Sequence, residues 1–238
     1  MNLNDSFIIH NIGEMEKLIG EIGFIPLFAN SVKGFSVEEH TYTKNWWCGS
    51  ETIDPWEWRR VLSKNPEIGY GKFFDRKAGF ISKKWFPVFA NYRRNGYDFD
   101  SLFDDGLASF RKKKIMDLFF SDDEQNGQNV ISYELKEKSG FSAGGEKNFE
   151  GVLSELQMQT YLLMCDFRRK TNRNGEPYGW HIAVFETPET KWGHDHVASM
   201  YKESADESYG KILRQMRSLC PYCSDKAIAK VIGIKNCR

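Results

Sequence analysis

The chain has 238 residues, 40% of them hydrophobic and 15% aromatic, and it carries 33 basic and 33 acidic side chains. This length and composition suffice for a sizeable core, and the zero net charge argues against a general binder of polyanions. No apolar run approaches the length needed to span a bilayer, and the N-terminus lacks a secretory signal, so we expect a cytoplasmic protein without membrane contact.

The first elements in the chain predict an α+β region that is rich in tryptophan. A short helix is expected over Glu14–Ile22, followed by a buried extended segment over Gly23–Phe28. Asp54 and Pro55 then form a helix start, with Asp54 as the N-cap and Pro55 at the first helical position.

A hairpin and a basic helix are predicted next. Glycines alternate with phenylalanines over Gly69–Ile81, a pattern typical of a hairpin or of bent strands. Ser82 is expected to cap a helix that continues to Arg94. The acidic and aromatic segment Tyr97–Gly106 is the predicted domain boundary.

The middle of the chain predicts the order of elements found in winged-helix domains. Apolar residues recur at helical spacing, a polar loop and two strand-like runs follow in turn, and a basic turn joins the two runs. This arrangement often contacts nucleic acid. The predicted elements are the helices Ser109–Phe120 and Glu146–Gln157, a short helix within Val130–Gly140 with Ser132 as its cap, and the strands Thr160–Phe167 and Trp180–Thr187.

Two capped helices are predicted near the C-terminus. Ser204 and Glu207 form a capping box for a helix that reaches Leu219, and Ser224 begins a last helix that ends at Gly233.

These elements predict an α+β, helix-rich fold with a winged-helix domain, that is, a helix-turn-helix plus a β-hairpin wing. We assign residues 107–190 to this domain. Residues 1–106 form the tryptophan-rich α+β region, for which a degenerate winged helix is the alternative interpretation. Residues 191–238 are expected to be helices that pack on the winged helix.

Basic residues are concentrated in two places. The turn Arg168–Gly175 holds four cations, and the stretch from Arg59 to Arg94 holds ten Lys or Arg against two acids. Cations in such patches neutralise phosphates and release counterions. We therefore predict contact with the phosphate backbone of duplex DNA by Arg168, Arg169, Lys170, Arg173, Lys83, Lys84, Arg93, Arg94 and Lys147.

Each patch also has a plainer interpretation. A charged hairpin tip is often merely solvated, and Trp85, Phe89 and their neighbours at helical spacing equally describe an amphipathic helix in the core. The predicted helix Glu146–Gln157 bears three carboxylates, which repel phosphate. We therefore expect the N-terminus of this helix and the hairpin to make any contact with DNA.

The triplet Gln157-Met158-Gln159, together with the winged-helix pattern, resembles the AlkZ-type (YcaQ-like) DNA glycosylases. The resemblance implies an enzyme that hydrolyses the N-glycosidic bond of damaged bases, with Gln157 and Gln159 holding the attacking water. Two amides can position a water and stabilise an oxocarbenium ion without a shifted pKa. The alternative is that the two glutamines are simply residues at a helix-to-strand boundary.

Longer stretches are similar to small proteins described as AlkZ-related, and this resemblance covers most of the chain. It implies membership of that group, without a defined function. The stretches that carry it are Asp54–Trp58, Tyr70–Phe74, Ala78–Ser82, Tyr92–Asp98, Leu156–Gln159 and Tyr178–Trp180.

Two further motifs suggest redox or metal chemistry. The sequence Cys220-Pro221-Tyr222-Cys223 matches a redox motif or half of a zinc site completed by Cys237 or a distant histidine, but its position between two predicted helices favours a simple turn. His194 and His196 could share a metal with His181 if their segment is extended, although a polar loop is the simpler interpretation. The scattered cysteines suit free thiols. We predict no metal and no cofactor.

Three functions are compatible with the sequence. The first is a winged-helix DNA-binding protein related to the AlkZ-type glycosylases. The second is a glycosylase, which requires both glutamines to face one open, basic-rimmed cleft. The third is a non-enzymatic protein-interaction module, which predicts an exposed apolar patch beside the acidic helix.

Overall fold

The computed structural model describes residues 3, 7–120, 129–142 and 144–233, and it has an α+β architecture with one sheet among these residues. The helices are α1 (Ile12–Ile22), α2 (Pro55–Leu62), α3 (Phe86–Arg94), α4 (Phe99–Asp104), α5 (Phe110–Phe120), α6 (Ser132–Lys138), α7 (Phe149–Met158), α8 (Pro188–Trp192), α9 (His194–Val197), α10 (Ala205–Leu219) and α11 (Asp225–Ile232). The strands are β1 (Phe24–Pro26), β2 (Ile68–Phe74), β3 (Lys77–Ser82), β4 (Val130–Ile131), β5 (Leu163–Thr171) and β6 (Pro177–Glu186). Short 3₁₀ helices cover Glu38–His40, Thr43–Asn45 and Ala198–Met200.

The sheet is antiparallel and runs in the order β1, β3, β2, β5, β6, β4. The pair Tyr70 and Met164 joins β2 to β5, and thereby joins strands from the first and the second half of the chain. β4 pairs with β6 through Val130 and Phe185, although β4 precedes β5 in the sequence. The two halves of the chain therefore share one sheet.

Aromatic residues build the core on the N-terminal side of this sheet. The ring of the fully buried Phe24 lies 4.8 Å from that of Phe89 and 5.3 Å from that of Trp85. Trp85 lies so close to Gly23 that a Cβ there would be 2.2 Å from its ring, and Gly23 has a φ of +92°. This position therefore needs glycine for both space and backbone conformation.

The C-terminal helices attach to this core through polar contacts that are buried or part-buried. Asn91 on α3 donates to the hydroxyl of Ser208 on α10 at 2.9 Å, and the hydroxyl of Tyr92 donates to the carbonyl of Gly233 at 2.8 Å. The amide of Gln215 donates to the carbonyl of Ile22 at 2.8 Å. Hydrogen bonds of this kind satisfy polar groups that would be costly to bury alone.

Several predicted helix ends are confirmed. Asp54 caps α2, with Pro55 in its first turn, and Ser204 forms a capping box with Glu207 at α10. Ser224 caps α11, which ends before Gly233. These signals are local, because each depends on residues within one helical turn.

Other predicted ends are wrong. Ser82 belongs to β3, where it pairs with Ile68, and α3 begins only at Phe86 after a turn at Lys83–Trp85. Ser132 is the first residue of α6, not its cap, and the cap position belongs to Ile131.

Shifted boundaries account for the other differences in the middle of the chain. α7 begins at Phe149, three residues after the predicted Glu146, because Asn148 has a left-handed φ of +67°. Both predicted strands are present, but β5 and β6 extend further towards the basic turn. The polar loop predicted after Phe120 lies outside the described residues. In the described part of the chain, no helix has the length and apolar character needed to cross a membrane.

Candidate nucleic-acid interface

The β5–β6 hairpin projects from the sheet with a polar, basic end. Its strands pair from Leu163 and Glu186 to Thr171 and Pro177. The side chain of Asn172 organises the turn, because its Oδ1 accepts the backbone N–H groups of Asn174 and Glu176 at 2.9 Å each. All residues from 168 to 180 are exposed. The hairpin thus presents its distal half to solvent on both faces.

The cations of this hairpin differ in their partners. Arg168 is paired with Asp166, with 3.0 Å between Nε and Oδ2. Arg169, Lys170 and Arg173 make no ion pair with the described residues, and Lys170 lies 5.1 Å from the ring of Tyr133. Three of the four cations are therefore available to bind an anion.

Exposed aromatic side chains accompany these cations. Trp180 is 89% exposed and Tyr178 is 52% exposed. The pairing register shifts between Arg168 and Lys170, which places Gly179 and Trp180 in an irregular segment of β6 where Gly179 has a φ of +74°. A bulge re-aims side chains at a sheet edge. Folding leaves this tryptophan almost wholly in solvent, where its large apolar surface gains nothing from burial.

Lys83 and Lys84 lie at the same end of the sheet as the hairpin tip. β2 is antiparallel to both β3 and β5, so its first residue, Ile68, lies at the end where β3 finishes and towards which β5 runs. Lys83 forms an ion pair with Glu67 at 3.3 Å, whereas Lys84 is exposed and has no ion pair with the described residues.

Burial, followed by the charges of Arg60 and Arg169, lowers the pKa of His181 on β6.

Arg93 and Arg94 lie inside the protein, contrary to the exposure that phosphate contact needs. Arg93 is 6% exposed and donates to the carbonyl of Ile232 at 3.0 Å. Arg94 is 2% exposed, with 2.5 Å to a carboxylate oxygen of Glu189 and 2.6 Å to the carbonyl of Thr160. We therefore leave both arginines out of the candidate interface.

The rest of the predicted stretch from Arg59 to Arg94 is also mostly engaged. The guanidinium of Arg59 is buried between the rings of Trp56 and Phe167, at 3.8 and 4.4 Å from their centroids. Stacking of this type stabilises a desolvated guanidinium. The ion pairs of the other members join Arg60 to Glu57, Lys64 to Asp166, Lys72 to Glu150 and Arg76 to Glu155.

Lys147 lies just before α7, the helix that occupies the recognition position of the predicted pattern. It is exposed and has no ion pair with the described residues. The predicted acidic side chains of this region are neutralised by lysines: Glu146 by Lys114 at 3.2 Å and Glu155 by Lys112 at 3.3 Å. The helix packs against β2 through Gln157, while the side chains of Glu150 and Glu155 remain partly in solvent.

The two glutamines of the triplet point to different surroundings. Gln157 is 1% exposed, and its carbonyl oxygen accepts the backbone N–H of Lys72 at 3.0 Å. Its amide nitrogen donates to the carbonyl of Leu153 at 3.1 Å. Gln159 is half-buried and lines a pocket, where its carbonyl oxygen accepts from Lys112 at 3.1 Å. Gln157 is not among the residues that line this pocket.

Neither of the two further motifs forms a redox or metal centre among the described residues. Cys220 and Cys223 lie in the predicted turn between α10 and α11, and burial, followed by the charge of Cys223, raises the pKa of the Cys220 thiol to about 12. A redox thiol needs the opposite shift. His194 and His196 lie in α9, not on an extended segment, and no metal-binding cluster occurs in the described part of the chain. Cys237 lies outside that part.

The sequence prediction omitted Trp180 from the interface. Its exposure accompanies the register shift in the hairpin, which no local signal in the sequence announces.

Comparisons with known proteins identify the family of the chain. A sequence model of the family described as AlkZ related matches residues 9–233, nearly the whole chain. No curated protein and no solved structure matches it.

Proposed function

The chain belongs to the AlkZ-related family, and from this premise we propose that it binds DNA through its β5–β6 hairpin. The single observation that carries the proposal is the group of exposed cations without ion-pair partners at the hairpin: Arg169, Lys170 and Arg173. Unpaired cations on one projecting element can displace condensed counterions from a phosphate backbone, which is the main source of sequence-independent affinity.

We further propose that residues 107–190 form a winged helix. Support comes from the order α5, β4, α6, α7, β5, β6 and from the pairing of β4 with β6, which places β6 between β4 and β5. In this interpretation the β5–β6 hairpin is the wing. A cytoplasmic location belongs to the same proposal, since the free thiols among the described cysteines suit a reducing compartment.

The proposed contact uses the hairpin and the neighbouring Lys84, not α7. α7 packs on β2 through Gln157, and the polar side chains that it leaves in solvent include Glu150, which is 74% exposed and whose carboxylate repels phosphate. Trp180 lies in the irregular part of the hairpin, between the pairs Arg168–Ile182 and Lys170–Tyr178, and can stack on a base where the duplex is open.

Hydrolysis by the glutamine pair has less support than binding. The amide of Gln157 is bonded to the main chain at both ends, and the side chains of Gln157 and Gln159 do not share the same pocket. A partner protein instead of DNA is the remaining alternative, and the exposed side chains of Leu107 and Phe110 beside α5 would suit it.

The test is fluorescence anisotropy of a labelled duplex titrated with the protein over a series of salt concentrations. We expect affinity to fall steeply with salt, and the variant Arg169→Ala/Arg173→Ala to reduce the slope of log K against log [salt] by about 2. The matched control is Lys17→Ala/Lys202→Ala, which removes two exposed cations away from the hairpin. No binding at low salt, or the same slope in both variants, would contradict the proposal and favour the partner protein.

A further inference from the structure

A pocket of about 640 Å³ lies at the other end of the sheet from the hairpin tip. The turn at Asp75–Arg76 joins β2 to β3 at this end, whereas the hairpin extends past the opposite end of β2. Besides this turn, α5, α7 and α11 contribute to the wall through Lys112, Met158 and Lys230. The pocket is therefore a feature of the tertiary fold, formed by segments distant in sequence.

The charge of the wall is predominantly positive. Four cations line the pocket, against two carboxylates. Glu155 forms ion pairs with two of these cations, at 3.5 Å from Arg76 and at 3.3 Å from Lys112. Lys226 and Lys230 are exposed and make no ion pair with the described residues. Since they are four positions apart on α11, they lie on the same face of that helix.

The remaining wall offers apolar surface and one free amide. Met158 and Leu107 contribute apolar atoms, and Leu107 is 47% exposed although it lines the pocket. The carbonyl oxygen of Gln159 is occupied by Lys112, whereas its amide nitrogen makes no hydrogen bond with the described residues. The amide group therefore has both of its N–H donors available to a ligand.

We propose that this pocket binds a nucleoside monophosphate, supplied either as a free nucleotide or as a nucleotide unpaired from a DNA strand. The phosphate lies between Lys226 and Lys230, the base lies against Leu107 and Met158, and the amide of Gln159 donates to the edge of the base. Two ammonium groups on one helix face, neither with an ion pair to the described residues, suit a dianion. A volume of about 640 Å³ is that of a small-molecule site, far beyond the space that a bare phosphate fills.

This inference goes beyond the proposed function, because it concerns a separate surface and requires no contact between DNA and the hairpin. Isothermal titration of the full chain with dAMP, dTMP, deoxyribose 5-phosphate and inorganic phosphate tests it. We expect at least one nucleotide to bind about tenfold more tightly than deoxyribose 5-phosphate, a difference that reports the contact with the base. Nucleotides that bind no better than inorganic phosphate would overturn the proposal in favour of a simple anion site.

Three variants locate the binding. Lys226→Ala/Lys230→Ala should weaken nucleotide binding by about tenfold or more, while the control Lys17→Ala/Lys202→Ala leaves it unchanged. Leu107→Ala should weaken binding of the nucleotide but not of deoxyribose 5-phosphate. All of these side chains are exposed, so the variants are expected to fold, which thermal unfolding checks. Unchanged nucleotide affinity in the variant with both pocket lysines replaced would overturn the assignment.

A second arm distinguishes the two sources of the nucleotide. Anisotropy compares a labelled duplex that carries one unpaired nucleotide with the fully paired duplex, in the wild type and in Lys226→Ala/Lys230→Ala. A preference for the unpaired nucleotide that these lysine substitutions abolish assigns the pocket to a DNA strand. No such preference, with dAMP or dTMP bound in the titration, assigns it to a free nucleotide. If the protein fails to bind any duplex, the titration still decides the inference separately from the proposed function.

Discussion

Gln157 on α7 accepts the backbone N–H of Lys72 on β2 at 3.0 Å, although 85 positions separate the two residues in the chain. The other end of the same amide donates to the carbonyl of Leu153. The bond to Lys72 joins α7 to β2, while the bond to Leu153 lies within α7 and fixes the orientation of the amide. The contact therefore gives Gln157 a structural part in joining the two halves of the protein.

The first prediction separates the two glutamines by stability. Gln157→Ala should lower the free energy of unfolding by about 1–3 kcal/mol, because it removes a buried side chain and leaves the part-buried backbone N–H of Lys72 without its partner. Gln159→Ala should change it by less, since that side chain is half-buried at a pocket. Urea denaturation measures both. Equal stabilities, accompanied by a loss of base excision in either variant, would instead support the catalytic interpretation.

The second prediction concerns the interior ion pair between Arg94 and Glu189. Arg94→Met removes a buried cation and leaves the carboxylate of Glu189 and the carbonyl of Thr160 without their partner. We expect a loss of about 3–5 kcal/mol in the free energy of unfolding, as is usual when one member of a buried pair is removed. The exposed pair of Lys17 and Glu21 is the control, and Glu21→Ala should cost less than about 1 kcal/mol. Similar losses in both variants would show that burial is not decisive at Arg94.

The third prediction tests the exposed tryptophan of the hairpin. Trp180→Ala should weaken the binding of a single-stranded oligonucleotide by about 1–3 kcal/mol, the usual contribution of one stacked base. The unfolding free energy should not change, because the side chain is 89% exposed. Trp47→Ala, which removes a 70% exposed tryptophan outside the hairpin, is the matched control for anisotropy titrations. Equal effects of the two substitutions would remove Trp180 from the interface.

The fourth prediction is a pH dependence at Glu186. Burial raises the pKa of this carboxyl above its ordinary value of 4.5, and the opposing charge of Lys191 does not cancel the effect. A raised pKa means that the folded protein holds the proton more tightly. The stabilisation that the protonated Glu186 contributes to the folded protein is therefore fully present below pH 4.5, and it is lost as the pH rises through the folded-state pKa.

Glu186→Gln removes this titration. The free energy of unfolding of the wild type, minus that of the variant, should fall as the pH is raised from about 4.5 to about 7. Urea denaturation at several pH values gives this difference. A difference that is constant with pH would mean that Glu186 has the same pKa folded and unfolded.

Local signals predicted helices better than they predicted burial. Asp54, Ser204 and Ser224 cap their helices as expected, because a cap is decided within one turn. Ser82 is a serine like two of these caps, but its backbone pairs with Ile68 of the adjacent strand. Sheet pairing between segments overrides a capping preference, and the sequence around Ser82 contains no sign of its partner.

The candidate site shows the same division. The basic turn with Arg169 and Arg173 is exposed as expected, since a hairpin tip has few neighbours. Arg93 and Arg94 have equally basic neighbours in sequence, but their acceptors are on Phe73, Glu189 and other segments far along the chain. The nucleotide-sized pocket could not be predicted either, because its wall comes from four separate parts of the fold.

The pairing of Tyr70 with Met164 has a practical consequence for fragments of this protein. In the intact chain β5 lies between β2 and β6 and has no open edge along this contact. A fragment spanning 107–190 would uncover the apolar start of β5, from Leu163 to Cys165, as a template for other copies of itself. Such a fragment is expected to aggregate, so the N-terminal strands serve as its built-in protection against self-association.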